Sequence, residues 1–526
     1  MQERAELHKS IWKVANELRG SVDGWDFKAY VLITLFYRFI SEDITNYINE
    51  WQREAEPNAQ DYSTLSDEVA LKAKGELVKR KGYFILPSQL FSNVVKRIKT
   101  DRIFAEDELN IALEEIFKSI EKSSSGEASE ENFKGLFSDF RFDSNSLGKT
   151  TSDKNKTIAK ILNAIAELNF GDIKQSRIDL FGDAYEYLMR MYASSAGKSG
   201  GEYFTPQEVS RLLALLTSHN LKEVNKVYDP ACGSGSLLLQ VAKLYSKDGE
   251  ISVGKGFYGQ EKNITSYNLA RMNMIIHHIN YNKSFIAHGD TLLHPEEKHK
   301  ANEPFDIIVS NPPYSTAWEG EDNATLMRDT RFTPAGALAP KSKSDLAFVM
   351  HILAWLSEKG VAAIVEFPGV LYRSGAEAKI RQYLIKNNFI DCIIQLPENL
   401  FFGVSIATCI IVLKKNKADS KTLFINASEF FIKATNKNKL SDENINEIVK
   451  LYAKRENVPH IAALVKNENI LKDESVNLSV SSYVEAKDTR VKVDIKALNK
   501  ELIDIVKRQE SLRASIDEIV RDLEGE

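Results

Sequence analysis

Between Val224 and Lys414 short apolar runs alternate with helical segments, and this alternation restricts the fold more than any other feature of the chain. Strands are predicted at 224–229, 256–261, 285–290, 305–310 and 361–367, with helices at 237–245, 266–278 and 346–358 between them. Strands that are apolar on both faces and joined by helices demand a parallel sheet covered on both sides. Two further runs, 390–396 and 406–414, lie close enough in sequence to form an antiparallel edge. The expected fold class is α/β, a doubly wound, mostly parallel sheet.

Upstream the pattern differs. From residue 7 to about 120 apolar residues recur three and four apart, which predicts an all-α N-terminal domain. A first helix covers about 5–18 and breaks in the stretch from Gly20 to Gly24. The run 29–40, bounded by Lys28 and Arg38, falls short of the roughly 20 residues of a membrane span and reads as a buried helix. Residues 107–122 form another amphipathic helix, and the polar stretch 123–129 reads as a loop or flexible joint. Helices are expected again at 156–168 and 183–192, before a small-residue loop at 194–201.

At the other end Ile495, Leu498, Leu502, Ile505, Gln509, Leu512, Ile516, Ile519 and Leu523 are spaced alternately three and four apart. This is a heptad seam with one polar position, and it wants a partner helix from another chain or from this one. The expected domains are 1–170, helical; 171–480, α/β; and 481–526, a helical tail for assembly.

At 526 residues the chain exceeds one ordinary core, and 43% hydrophobic with 27% charged residues is ordinary for a soluble protein. The N-terminus has no apolar signal core, and three widely spaced cysteines form neither a disulfide framework nor a zinc pattern. A cytoplasmic protein is expected. His277-His278 has no Cys or Asp partner at ligand spacing, so no metal is expected. The net charge of −5 argues against a chain that grips nucleic acid unaided, but leaves room for a local basic groove or a partner that supplies the grip. Lys341-Ser342-Lys343 and Lys414-Lys415-Asn416-Lys417 read first as solvated loops and second as phosphate contacts.

The strongest turn signal is Asp229-Pro230-Ala231-Cys232-Gly233-Ser234-Gly235, where the first strand meets its helix. Glycines there let backbone approach a ligand, and free helix amides can meet a carboxylate; alone, such a turn is also simply tight. Glu261 ends the second strand, where doubly wound folds place a carboxylate on ribose hydroxyls, and Asp290 ends the third. Acids ending strands are often merely solvated, but three in succession favour a nucleoside site. No Walker lysine and no complete Gly-x-Gly-x-x-Gly pattern is present, so the nucleoside carries no polyphosphate.

The strand 305–310 runs into Asn311-Pro312-Pro313-Tyr314. Prolines fix the backbone and donate no hydrogen bond, so the Pro312 carbonyl is open to a substrate amine, and the Asn311 side-chain oxygen offers a second acceptor. Two acceptors on the hydrogens of an aromatic amine draw it toward tetrahedral geometry and make it nucleophilic. Tyr314 offers a face on which an extruded base can stack; the plainer reading is a Pro-Pro loop beside a core tyrosine.

The order of Gly201-Glu202-Tyr203-Phe204-Thr205-Pro206, then Asp229 to Gly235, Glu261, Asp290 and Asn311 to Tyr314 resembles the γ class of amino-methyltransferases, in particular the modification subunit of type I restriction-modification systems. The segment Asp179 to Leu188 and Asn477-Leu478-Ser479 fit the same family, which then covers nearly the whole chain. The resemblance implies the class I S-adenosylmethionine-dependent methyltransferase fold and transfer of a methyl group to adenine N6 in double-stranded DNA, in line and without a covalent enzyme intermediate. By the same resemblance Glu202, Tyr203, Phe204, Thr205, Pro206 and Gln207 hold the methionine part of the cofactor. Asp229, Gly233, Ser234, Gly235 and Ser236 surround its amino-acid end, Glu261 binds the ribose and Asp290 the adenine amine. Asn311, Pro312, Pro313 and Tyr314 are catalytic, and Phe402 is the second aromatic against the target base, with Phe401 nearly as good a candidate. The implied partners are a sequence-specificity subunit, packed on the heptad tail, and a restriction subunit, with two copies of this chain per complex. Rival readings are methylation of a protein glutamine or an RNA base, and a non-catalytic scaffold that has kept the fold.

Overall fold

The computed structural model describes residues 6–13, 26–170, 180–195, 205–247, 250–300, 303–435, 437–485 and 495–525. The chain forms two compact units, Met1–Val484 and Glu485–Glu526. Among the described residues no helix is long and apolar enough to cross a membrane, and all three cysteines are free and buried.

The longer helices of the N-terminal part are α1 (Asp26–Ala55), α2 (Phe91–Thr100), α3 (Leu109–Ser123), α4 (Thr151–Ala166) and α5 (Leu180–Ser195). Nearly every side chain of α1 from Tyr30 to Ile40 is buried, and beyond that the burial narrows to a stripe through Ile44 and Ile48 at i, i+4 spacing. The anticipated buried helix is thus the axis of the first core. Arg38 on α1 ties down the end of α4: Nη1 donates to the carbonyls of Ile165 at 2.6 Å and Leu168 at 2.8 Å, and the guanidinium lies over the Phe170 ring. These bonds meet carbonyls that a helix end leaves unpaired.

The stretch 123–129 is not a flexible joint. Ser123, Ser124 and Ser129 are buried; Ser123 Oγ accepts from the Phe84 amide at 2.9 Å, and Ser129 Oγ donates to the Gly82 carbonyl at 2.7 Å. Small hydroxyls here satisfy backbone groups inside the fold, a use that composition does not separate from a linker.

The sheet strands are β1 (Val224–Asp229), β2 (Val253–Glu261), β3 (Ser284–His288), β4 (Phe305–Ser310), β5 (Leu356–Glu366), β6 (Ile390–Gln395), β7 (Cys409–Lys414), β8 (Lys421–Asn426) and β9 (Ala462–Lys466). Their spatial order is β9-β8-β6-β7-β5-β4-β1-β2-β3. Pairing is parallel for β3/β2, β2/β1, β1/β4, β4/β5 and β6/β8, and antiparallel around β7 and at β8/β9. The doubly wound, mostly parallel sheet read from the sequence is therefore present. Successive residues alternate faces: Val227, Ile307 and Val309 pack with α6 (Gln207–Ser218) and α7 (Ser236–Leu244), whereas Tyr228, Ile308 and Ile364 pack with α9 (Asp345–Trp355) and α10 (Ala376–Lys386). Helix α8 (Ile264–Ile276) lies between the helical core and one of the two sheet cores, with Tyr267, Ala270 and Met274 against the sheet and Met272 and Ile276 in the helical core.

Two expectations change. The pair 390–396 and 406–414 is antiparallel but not an edge, because β7 is inserted between β5 and β6, and β8 and β9 extend the sheet beyond. Cys409 to Leu413 are all buried, as suits an interior strand apolar on both faces. The helix predicted at 346–358 stops at Trp355, since Leu356 is extended and pairs with Phe305 as the first residue of β5.

Arg381 of α10, 1% exposed, closes the last part of this unit: Nε donates to the Val476 carbonyl at 2.9 Å, Nη1 to Val370 at 2.9 Å and Nη2 to Ser475 at 2.7 Å. Burial lowers its pKa to about 10. Arg381→Met should strand these carbonyls and cost about 3 kcal/mol, read as a lower urea midpoint; an unchanged midpoint would show that water replaces the guanidinium freely.

Candidate active site

The sheet grows in opposite directions from β1 and β4, so the loops leaving their carboxyl ends diverge and open a crevice, the place where such sheets bind ligands. Asp229 ends β1 and Asn311 follows β4 directly. On the far side of β1, Glu261 ends β2, and Asp290 lies two residues beyond β3. The three acids thus stand side by side along one sheet edge, with Asn311 across the crevice.

Asp229 is fully buried; Oδ1 accepts from the Ala231 amide and from Ser310 Oγ, both at 3.0 Å, while Oδ2 is buried without a hydrogen-bond partner. Burial raises its pKa to about 7. Glu261 Oε2 accepts from the Gly233 amide at 2.9 Å and Oε1 from Asn263 at 2.7 Å, and burial raises its pKa too. Gly233 and Gly235 take φ of 52° and 77°, left-handed values that side chains disfavour, and α7 starts at Ser236 with no side-chain cap on its amides. Asn273 of α8 donates to the Ser234 carbonyl at 2.9 Å and fixes the turn from behind. Asp290 Oδ1 accepts from Leu292 at 3.0 Å, and Oδ2 pairs with Lys262 at 2.8 Å.

Asn311 donates through Nδ2 to Thr205 Oγ1 at 3.0 Å, and its Oδ1 accepts the Tyr314 hydroxyl at 2.5 Å. The amide is therefore held with its oxygen toward Tyr314. Among the described residues the Pro312 carbonyl accepts no hydrogen bond. Tyr314 stays a phenol: burial pushes its pKa far up, and Glu366, Cys409 and Asp345 add to the shift. Its ring has Phe401 edge-on at 6.3 Å and Phe367 tilted at 6.4 Å.

Thr205, placed by the sequence with the cofactor, thus touches the catalytic tetrad, while Pro206 caps the start of α6, which begins at Gln207. Glu202, Tyr203 and Phe204 lie outside the described residues. The two phenylalanines separate: Phe401 is buried beside Tyr314, and Phe402 lines a cleft with Pro206 and Gln207, its ring 3.9 Å from Lys437 Nζ. Phe367 and Glu366 were missed. Glu366 is fully buried, both its oxygens lack hydrogen-bond partners, and burial pushes its pKa far up. The signal was a lone acid closing the apolar run Val361 to Val365, followed by Phe-Pro as Ser310-Asn311 is followed by Pro-Pro. Among the described residues no group of three or more His, Cys, Asp or Glu could hold a metal ion.

The lysines of the run 414–417, expected first in a solvated loop, are engaged within the fold. Lys414 pairs with Asp391 at 3.0 Å, and Lys415 donates to the Leu356 carbonyl at 2.6 Å. Lys417 donates to Asn388 Oδ1 and to the Ile390 and Lys421 carbonyls, and burial lowers its pKa to about 8. Lys341 pairs with Asp322.

Comparison with known proteins agrees with this arrangement. Residues 176–492 match the N-6 DNA Methylase family and residues 7–165 the HsdM N-terminal domain. The MpnII type I restriction enzyme methylase subunit of Mycoplasma pneumoniae is 45% identical, over 99% of this chain and 97% of that one. The MjaVII methylase subunit of Methanocaldococcus jannaschii is 32% identical over 72% and 64% of the two chains. The crystal structure of a type I restriction-modification methyltransferase subunit from Streptococcus thermophilus superposes with a TM-score of 0.80 at 33% identity, covering 92% of this chain and 100% of that one. With the class I methyltransferase sheet, the helical N-terminal region and whole-chain similarity in agreement, this chain belongs to the methylase subunits of type I restriction enzymes, and so to the DNA methyltransferases.

Proposed function

We propose that the chain transfers a methyl group from S-adenosylmethionine to the N6 amine of an adenine swung out of double-stranded DNA, as the modification subunit of a type I restriction-modification complex. The observation that carries this reading is the Asn311 amide, pinned by Thr205 through its nitrogen with its oxygen toward Tyr314, beside a Pro312 carbonyl that accepts no hydrogen bond among the described residues.

The residues fit the cofactor. Asp229 Oδ2, a buried acceptor without a partner, suits an ammonium, and the uncapped amides opening α7 suit the carboxylate beside it. Each oxygen of Glu261 keeps a lone pair for ribose hydroxyls. Bound there, S-adenosylmethionine supplies an electrophilic methyl group on a sulfonium. Asn311 Oδ1 and the Pro312 carbonyl then accept the two hydrogens of the target amine and localise its lone pair. The amine either shares Asn311 Oδ1 with the Tyr314 hydroxyl or displaces it. Tyr314 stacks the base, which contributes on the order of 1 to 3 kcal/mol. No thiol competes as nucleophile, because Cys232, the cysteine of the turn, is buried with its pKa pushed up.

Assembly is read from the tail. Helix α12 (Ile495–Glu524) exposes its whole length, with Leu498, Leu502, Ile505, Leu512, Ile516 and Ile519 each 47–62% exposed on one seam. We assign this seam to helices of a sequence-specificity subunit. The restriction subunit joins that assembly, which holds two copies of this chain.

Asn311→Ala should abolish adenine methylation, mapped by sequencing host DNA, while cofactor binding by calorimetry persists; normal methylation would refute the role. Cofactor affinity should rise about tenfold between pH 6 and 8, as Asp229 ionises near pH 7 and its carboxylate meets the ammonium. Stability moves the other way. The fold retains a proton on Asp229 from its ordinary 3.8 up to about 7, so stability complete below pH 4 is lost as pH rises through 7. Asp229→Asn should remove both dependences, and calorimetry and thermal melting against pH would expose their persistence. Deleting residues 492–526 should abolish co-purification with the specificity subunit; intact co-purification would place that interface elsewhere.

A further inference from the structure

Beside the tetrad lies a cleft of about 290 Å³, lined in part by Arg190 of α5, Pro206 and Glu208 at the start of α6, Phe402, Lys437 and Lys439. It is at the small end of the roughly 300 to 1,000 Å³ typical of ligand pockets, room for a sugar-phosphate unit but not for a duplex. It adjoins the amine acceptors through one peptide link, since Pro206 follows Thr205, whose hydroxyl receives Asn311. Three cations face one carboxylate there.

Those cations are uncommitted. Among the described residues the side chains of Arg190, Lys437 and Lys439 make no hydrogen bond or ion pair. Arg190 lies over the Tyr187 ring at 5.3 Å and Lys437 over Phe402 at 3.9 Å. Lys437 is half-buried, and burial lowers its pKa, with Arg190 and Lys439 acting in the same direction and Glu208 against them. Holding an ammonium half out of water beside two other cations is costly unless an anion comes to it. The lysines that stood out in the sequence, Lys414 and Lys417, are by contrast spent on the fold.

We propose that this cleft holds a phosphodiester of the strand being methylated, next to the target nucleotide, with Lys437, Lys439 and Arg190 as its cationic contacts and Phe402 as the apolar floor. The inference rests on the DNA-adenine reading above. A phosphate gripped here anchors the backbone while its base reaches Tyr314 and Asn311, and it gives an acidic chain a local hold on DNA.

The test uses the full chain assembled with its specificity subunit and a duplex carrying the site found by methylation mapping. Lys437→Gln with Lys439→Gln should raise the dissociation constant on the order of 10-fold at 50 mM salt, and flatten the log-log salt slope by about 1, the share of a single phosphate. S-adenosylmethionine affinity should not change. Replacing the phosphates flanking the target adenine by uncharged methylphosphonates should weaken wild-type binding and leave the double variant nearly indifferent. An unchanged slope, or equal methylphosphonate penalties in both proteins, would overturn the proposal. So would lost cofactor affinity, which would give the cleft to the cofactor's carboxylate. Should the double variant fold poorly, Lys439→Gln alone, at an exposed residue, and the methylphosphonate duplex on wild type decide the matter. Binding is read apart from turnover, so a complex that modifies some other group on DNA would defeat the adenine reading and still report on the cleft.

Discussion

The site depends on one constraint, the reversal in the direction of sheet growth between β1 and β4. Because β2 and β3 add on one side and β4 and β5 on the other, the backbone parts at the carboxyl ends of the central pair. Across the parting Ser310 Oγ donates to Asp229 Oδ1. That bond favours the carboxylate of Asp229, as does the Ala231 amide, but burial outweighs both, leaves the other oxygen unpaired, and with the charge of Glu261 beside it lets the acid keep its proton to about pH 7. A buried acceptor without a donor is a standing cost, and a cation delivered to it recovers that cost as binding energy.

Helix α8 extends this constraint to the helical region. Arg271 donates to the carbonyls of Glu131 and Lys134, and Asn268 reaches Asp139, so the helix is bolted to the N-terminal core on one side. Two residues along from Arg271, Asn273 holds the carbonyl of Ser234 in the glycine turn. The helical region is therefore a wall for the turn rather than an appendage, and displacement of one transmits to the other through a helix packed on both faces.

Where the sequence was legible, the reason was periodicity or rigidity. The limits of β1 and β4 were read to the residue because each strand runs directly into a proline turn, Asp229-Pro230 in one and Asn311-Pro312 in the other. β8 and β9 went unread, as did α6, α10 and α11 (Asp442–Lys454), although α11 opens on a Ser441–Asn444 capping box and buries Ile445, Ile448 and Leu451 at helical spacing. The insertion of β7 between β5 and β6 is a tertiary choice among similar apolar strands. At the site, Thr205, Glu261 and Asp290 were named from the family motif and from strand ends, but the contact of Thr205 with Asn311 and the place of Phe367 beside Tyr314 were not read. Thr205 is 106 positions from Asn311, and Phe367 comes from a different strand end than Tyr314. No spacing rule spans such distances.

Charge shows the same limit and bears on what the chain can do alone. Adjacent lysines are conspicuous in a sequence, yet Lys414, Lys415 and Lys417 sit where β7 leaves the sheet, and backbone carbonyls and Asp391 consume them. Residues 190, 437 and 439 become a cluster only on folding, so a net charge of −5 conceals a local positive cleft. Two acceptors and an aromatic face recognise an amine on a flat ring and nothing about its neighbours. On the proposed reading, any adenine presented to Asn311 would satisfy them equally. Selection among adenines must then be made where base edges are still in the groove, beyond the reach of a pocket that receives one nucleotide. On the same proposed reading, the seam of α12 is the surface assigned to a subunit that makes that selection.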